Sequence, residues 1–413
     1  MRVSTVLRML LGLCRATVIT GWSLDRSGDR PVLVVRVRGR VGEVARCGRC
    51  GQRAPGYDRG GGHRRWRHVD VGFARSELEG PAPRVACPSC GPTVAVVAWA
   101  RHASVFTRSF EDVVVHDTVR SNKTSAARRY GLTWRAVDAM CTRLLTEAMG
   151  RIDLLDGLVA VAIDEVKAKK GQRYLTVVSD PFSGRVVWVT KGRSKATVAA
   201  FFDDLGAERA ARLEIVTTDG AEWIRLVVAA RAPNAEICLD TFHVVSWATK
   251  ALDEVRREAW RRLKGTSGAK AVKGLRWVLL RSWSNLTRAQ RTVIRDLEAT
   301  NRRLFRAWQL KEELADIFGL PLFAARRALD DWLHYASRSR LPAFVRLART
   351  IRRYRPSIEA TIEYGFTNGI AEANNSVIGR IRRNANGFHN PQSFITMIML
   401  DRGGLGPNLP WTP

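Results

Sequence analysis

Three aspartates each close an apolar run of the kind that forms a sheet strand. Asp164 follows Val-Ala-Val-Ala-Ile at 159–163, Asp219 follows Leu-Glu-Ile-Val-Thr-Thr at 213–218, and Asp240 follows Ala-Glu-Ile-Cys-Leu at 235–239. Short apolar runs rich in β-branched residues read as strands, and in a mixed α/β sheet ligands collect at the carboxyl ends of parallel strands. Carboxylates gathered there repel one another unless a cation lies between them. Oxygen donors of this kind suit a pair of magnesium ions and phosphoryl transfer.

A fourth acid stands far downstream in Asn368-Gly-Ile-Ala-Glu372-Ala-Asn-Asn375-Ser-Val-Ile-Gly-Arg380-Ile-Arg382-Arg383. Ile370, Ala373, Val377 and Ile381 recur at helical spacing and predict a buried stripe, which leaves Glu372, Asn375, Ser376, Arg380 and Arg383 on the other face. A carboxylate followed by guanidinium groups suits a helix that offers a metal ligand and holds phosphates beside it. The competing reading is an ordinary charged surface helix, with Glu359 and Glu363 as rival acids.

Two knuckles supply a different chemistry. Cys47-Gly-Arg-Cys50-Gly and Cys87-Pro-Ser-Cys90-Gly have the spacing that brings paired thiolates to one ion, and the glycine after each pair permits the turn. Together they predict a closed four-sulfur zinc site with a structural role, and the 36 residues between the pairs predict an inserted hairpin or loop around Gly60-Gly-Gly-His63. His63 and His68 read as exposed neighbours of phosphate in an arginine-rich loop with Arg64, Arg65 and Arg67. Cys14, Cys141 and Cys238 sit among apolar residues and read as small core side chains.

The elements that must position these groups follow from periodicity. Residues 110–119, 123–130 and a third segment opened by Thr133 as N-cap read as helices, with Gly131 as a turn. In the third helix Val137, Met140, Cys141, Leu144 and Leu145 form the apolar stripe, leaving Trp134, Arg135, Asp138 and Arg143 facing elsewhere; this describes a helix-turn-helix that could enter a major groove. After three strands over 159–189 the chain alternates helix and strand to Asp240, then turns helical. There Val244, Val245, Ala248, Ala251, Leu252, Val255 and Ala259 keep helical spacing while Arg256, Arg257, Arg261, Arg262 and Lys264 cover the other side. Trp247, Trp260, Trp277, Trp283, Trp308 and Trp332 read as helix-packing core.

Composition narrows the partner. The 413 residues carry 68 Lys+Arg against 39 Asp+Glu, a formal charge of +29 spread along the chain. Such a field attracts polyanions, and nucleic acid with its releasable counterions above all; solvated arginine-rich faces are the bland alternative. No apolar run approaches the roughly 18 residues that would cross a bilayer, and Arg8 and Arg15 interrupt the N-terminal apolar stretch, so it reads as a short amphipathic helix of a cytosolic protein.

The ordered set of cysteine knuckles, helix-turn-helix, Asp164-Glu165 and Asp219 strand ends, Asp240-Thr-Phe-His243 box, helical insertion and Glu372-Ala-Asn-Asn resembles the ISL-three family of bacterial insertion-sequence transposases, from about Leu10 to Asp401. The resemblance implies a multidomain α/β protein: a zinc ribbon over 1–104, a helix-turn-helix over 105–150, a ribonuclease-H-like core over 151–241 and 360–402, a helical insertion over 242–359 and a tail over 403–413. It implies a catalytic triad of Asp164, Asp219 and Glu372 that holds magnesium or manganese, with Asp240 and His243 in support. Adjacent strand residues face opposite ways, which leaves Glu165 outside the metal site. Water would cut a phosphodiester at the element's terminal repeats, and the freed 3′-hydroxyl would attack target DNA. The DNA contacts expected are Arg64, Arg65, Arg67, Trp134, Arg135, Arg143, Arg380, Arg382 and Arg383. Synapsis of two ends implies a dimer or larger assembly on double-stranded DNA, in a cytoplasmic, nucleoid-associated setting. The alternatives are a domesticated protein that only binds DNA, or a magnesium nuclease that selects DNA by shape.

Overall fold

The computed structural model describes residues 3–40, 45–169, 173–366 and 369–410. The chain divides into two units, Met1–Asp153 with Ile381–Pro413, and Leu154–Arg380. The boundary after Arg380 falls inside the segment 360–402 expected for the catalytic core.

In the first unit helix α1 (Val3–Leu10) precedes strands β1 (Thr17–Asp25) and β2 (Val32–Gly39). These form a four-stranded sheet with β4 (His63–Val71) and β5 (Ala74–Pro81), in the order β1-β2-β5-β4, around Leu33, Val35, Val37, Trp66, Leu78 and Trp99. The short strands β3 (Gly56–Asp58), β6 (Arg84–Cys87) and β7 (Gly91–Val94) make a separate three-stranded sheet beside the cysteines. The β4–β5 hairpin is thus the insertion that the wide cysteine spacing requires. It turns the expected arginine loop into a strand.

That change relocates two histidine and cysteine expectations. His68 is 2% exposed with Nδ1 2.8 Å from Thr107 Oγ1, so it is a core histidine and not a phosphate neighbour. Cys14 is exposed, while Cys141 and Cys238 are buried as expected. Burial pushes the His68 pKa down to about 4. The unfolded chain binds a proton from about pH 6.5 downward while the folded ring stays neutral, so stability falls with pH over the window from about 6.5 to 4. The loss at the lower end is up to about 3 kcal/mol. Urea unfolding at both ends of this window should show His68→Gln losing less stability on acidification than the wild type; an equal loss would refute the assignment.

Three helices follow, α2 (Arg108–Arg120), α3 (Lys123–Tyr130) and α4 (Trp134–Met149). Asn122 and Thr133 cap α3 and α4 with side-chain oxygens, and Gly131 ends α3 at φ 61°, where a side chain would be strained. The buried residues of α4 are Val137, Met140, Cys141, Leu144 and Leu145, the stripe that periodicity predicts. Glu111, fully buried, takes hydrogen bonds from Ser104 and from Arg101 and Arg143. The C-terminal helix, α16 (Pro391–Asp401), packs on α4, and the buried Lys123 ammonium bridges Asp138 and Ser393 beneath it.

In the second unit β8 (Ala160–Lys169), β9 (Arg173–Ser179), β10 (Val186–Lys191), β11 (Ile215–Thr218) and β12 (Glu236–Leu239) form one sheet, ordered β10-β9-β8-β11-β12. The first three are antiparallel and β8, β11 and β12 are parallel. Helices α5 (Lys195–Leu205) and α7 (Glu222–Arg231), separated by the short α6 (Ala207–Ala210), cover one face through Val161, Ile163, Val178, Val216, Phe201, Ile224 and Val228. The other face sets Ala160, Ile215 and Cys238 against Ala360.

Helices α8 (Thr241–Arg262), α9 (Ser267–Gly274), α10 (Arg276–Leu280), α11 (Arg288–Thr300), α12 (Arg302–Ile317), α13 (Leu322–Arg338) and α14 (Pro342–Tyr364) form the insertion and share one core, including Trp308 and Trp332. Trp247, Trp260 and Trp283 pack partly against it, but Trp277 is 69% exposed and is not core. Arg256, expected on the solvated side of α8, is buried and paired with Asp253. The insertion returns to its starting strand: Thr361 Oγ1 accepts the Leu239 N–H at 2.8 Å and lies 2.9 Å from the Leu239 carbonyl and 2.8 Å from that of Ser357. Thr361→Val keeps the shape and orphans a buried edge-strand N–H, so it should cost about 1–3 kcal/mol, read as a lower denaturation midpoint with unchanged slope.

Candidate active site

The strand register assembles the acids. Thr218 pairs with Ile163 on one side and Leu239 on the other, so the next residues, Asp164, Asp219 and Asp240, stand in one row across three parallel strands. Neighbouring strands lie about 4.8 Å apart, and alternation puts these residues on the face shared by Ala160, Ile215 and Cys238. β8 does not stop at Asp164 as expected. It runs on to Lys169 paired with β9 alone, so Asp164 marks the end of the parallel stretch only.

Each carboxylate is anchored differently. Asp164 is mostly buried, and burial followed by the charge of Asp219 pushes its pKa up, against hydrogen bonds from the Glu165 N–H at 2.7 Å and Asn375 Nδ2 at 2.6 Å. Asp219 accepts the Ala221 N–H at 3.0 Å, which fixes the turn into α7. Asp240 is 2% exposed, caps α8 through the Phe242 N–H and holds His243 Nδ1 at 2.6 Å. That bond, chiefly, raises the His243 pKa, and Asp219 and Asp164 add to it.

Glu372 lies in the first turn of α15 (Gly369–Asn384) and is exposed. It sits one turn before Asn375, whose amide touches Asp164; residues three apart on a helix are neighbours. Ile381 is buried as expected, but the rest of the stripe lies one position on: Ala371, Asn374 and Ile378 are buried, whereas Ala373 is exposed. The reason is Asn374, fully buried because its amide donates to Ser179 Oγ at 2.9 Å and to the Gly184 carbonyl at 3.2 Å. Of the rival acids, Glu359 is taken by Arg326 and Arg355, and Glu363 is exposed.

Among the described residues, the cluster of metal-ligand side chains with atoms all within 4.8 Å of one another is Cys47, Cys50, Cys87 and Cys90. A tetrahedral zinc–thiolate site places sulfurs about 3.8 Å apart, and Cys50 and Cys87 Sγ are 3.5 Å apart, so the four thiols fit zinc. Gly51 and Gly91, one after each pair, have φ of 73° and 72°, the turn that glycine permits. The Arg49 N–H lies 3.4 Å from Cys47 Sγ.

The expected DNA-contacting residues separate into two sets. Arg64, Trp134, Arg135, Arg380 and Arg383 are exposed, and Arg382 is half-buried. Three others are already engaged: Arg65 with Glu79 and Glu77, Arg143 with buried Glu111, and Arg67 with the Tyr130 carbonyl and, at 4.6 Å, the Phe110 ring. Their partners come from other strands and helices. A basic residue that sequence reasoning did not single out is Arg193, whose Nε is 2.5 Å from Oε2 of Glu165, the residue after Asp164. Only its basic character in Lys191-Gly-Arg193-Ser signalled it.

Comparison with known proteins completes the assignment. Residues 161–398 match the model of a transposase family, the ISL3 DDE transposases. Residues 43–90 match the zinc-finger of transposase IS204/IS1001/IS1096/IS1165. The transposase for insertion sequence element IS1557 of Mycobacterium tuberculosis is 41% identical over 99% of this chain and 98% of its own length. The transposase for insertion sequence element IS1001 of Bordetella parapertussis is 30% identical over 81% of this chain and 83% of its own. The chain belongs to the ISL3 family of insertion-sequence transposases. No helix among the described residues is long and apolar enough to cross a membrane.

Proposed function

We propose that this transposase binds the terminal inverted repeats of its insertion sequence, cuts the DNA there and joins the freed 3′ end to target DNA. The observation that carries the reading is the row Asp164, Asp219 and Asp240 on adjacent parallel strands, with Glu372 a helical turn from the Asn375 that touches Asp164. The strand order and the antiparallel-then-parallel arrangement support a ribonuclease-H-like core.

The donor set fits a hard divalent cation: carboxylate oxygens, crowded enough that Asp219 raises the Asp164 pKa. Asp164, Asp219 and Glu372 would hold magnesium or manganese. Bound there, such cations supply Lewis-acid stabilisation of charge on the phosphoryl oxygens and lower the pKa of the attacking water. The protein's own groups orient the rest. Asn375 fixes one Asp164 oxygen, and Asp240 accepts the Nδ1–H of His243 and favours the protonated ring, whose Nε2–H is then a donor for a phosphate oxygen. α3 and α4 serve as a helix-turn-helix with Trp134 and Arg135 at the exposed start of the second helix. The zinc knuckles stabilise the ribbon that adjoins it in sequence. Two copies or more act together on the two ends, in the cytoplasm on nucleoid DNA.

The test supplies the protein in trans to a marker bounded by the gene's own flanking DNA. Excision of the marker supports the reading; tight binding of the flanks with no cleavage in magnesium or manganese rejects it in favour of a DNA-binding protein alone.

A further inference from the structure

Arg193, paired with the acid that follows Asp164, belongs to none of the expected DNA contacts. It follows β10 in a short loop that leads to α5. Its Nε contacts Glu165 Oε2 at 2.5 Å, and its guanidinium carbon lies 5.1 Å from the centre of the Tyr174 ring. The Glu165 side chain is 6% exposed, and its other oxygen is buried without a hydrogen-bond partner. Alternation along β8 places Glu165 on the face opposite Asp164, so its carboxylate does not complete the metal row. It does sit within the electrostatic reach of that row: burial raises its pKa to about 7, Arg193 opposes this, and Asp219 and Asp164 add to it.

A buried carboxylate whose contact is a single guanidinium edge has the character of an orienting group. It fixes the Nε edge of Arg193 while Tyr174 supports the plane, and the Arg193 side chain remains 44% exposed. The ion pair is made through Nε. A guanidinium held by one edge and one face offers its remaining donors as a preformed fork, the geometry that matches phosphate oxygens. The charge of Asp219 also reaches Arg193, so a phosphodiester brought to the aspartates passes within the field of this fork.

We propose that Arg193 binds a non-bridging phosphate of the DNA strand being cut, next to the scissile position, and that Glu165 is its positioning residue. This rests on the assignment of Asp164 and Asp219 as the cleavage site. It adds a specific backbone contact and gives a role to the acid that follows the first aspartate.

The experiment measures binding of the full-length protein, without added magnesium, to a duplex of its own terminal repeat in which single phosphates around the cleavage position are replaced by neutral methylphosphonates. One replacement should weaken wild-type binding about tenfold, the scale of one charge-assisted contact, and should cost Arg193→Ala nothing further. Arg193→Ala should also lower the slope of log affinity against log salt by about one. Removing Arg193 alone leaves the Glu165 charge buried and unpaired, so the double variant Arg193→Ala/Glu165→Gln guards against misfolding: it should melt like the wild type and remain indifferent to the same phosphate. Glu165→Gln alone should keep the salt slope but blunt the response to that one phosphate. Arg193→Ala and the double variant responding to every replacement as the wild type does, at an unchanged salt slope, would overturn the proposal. Failure of the underlying site assignment is read separately, as cleavage that survives Asp219→Asn.

Discussion

Asp219→Asn is expected to reduce excision by about a thousandfold or more, about 4 kcal/mol of barrier, the scale for losing one preorganised charge-stabilising group. The amide keeps the shape of the carboxylate and can still accept the Ala221 N–H, so the turn into α7 survives. What it removes is the central negative charge of the row between Asp164 and Asp240. The structural control runs opposite to the activity. Asp219 raises the pKa of Asp164 by repulsion, so neutralising it relieves like-charge strain, and thermal stability without divalent cation should hold or rise. Affinity for the terminal repeat should persist. Excision at the wild-type level in Asp219→Asn would dismiss the aspartate row as the site of chemistry, and a parallel collapse of stability would make the substitution uninformative about catalysis, in which case Asp164→Asn carries the test.

Loss of zinc should have the second large effect. Structural zinc sites of this kind contribute on the order of 10 kcal/mol of apparent folding free energy, and the cluster of Cys47, Ala54, Val85, Cys87 and Ala95 around the thiols is too small to replace that. Cys87→Ser is expected to release bound metal, measured with a colorimetric chelator as a fall from about one zinc per chain to none. Affinity for the terminal repeat should drop at least about tenfold. The second unit has its own cores, so its helical circular dichroism and unfolding transition should remain. Full retention of metal by Cys87→Ser would exclude the four-thiol site.

Much of the fold was legible because its signals are local. The α4 stripe, the caps at Asn122 and Thr133, and the left-handed glycines after each cysteine pair depend on residues within a few positions of one another. Asp219 and Asp240 follow the strands read for them, and Asp164 lies within one that continues past it. The misreadings share a different cause. His68 and Arg256 are polar side chains whose burial depends on tertiary packing. Asn374 shows the same limit within one helix: a stripe read from apolar residues leaves it out, because its partners, Ser179 and Gly184, are 195 and 190 residues away in sequence. Alternation, which sets Glu165 on the face away from Asp164, gave no hint of the guanidinium it holds.

The clasp between Leu239 and Thr361 bears on how such a protein can change over generations. The insertion leaves and rejoins the sheet at one strand, closed by a hydroxyl across 122 positions. Closure entropy grows only with the logarithm of loop length, about 0.6 kcal/mol for each doubling. Helices between α8 and α14 could therefore be gained, lost or exchanged between relatives at little cost to the sheet, provided that the new segment buries its own apolar surface. The aspartate row and the insertion can thus change separately, provided that α14 keeps the bonds of Tyr354 to Gly220 and Glu222.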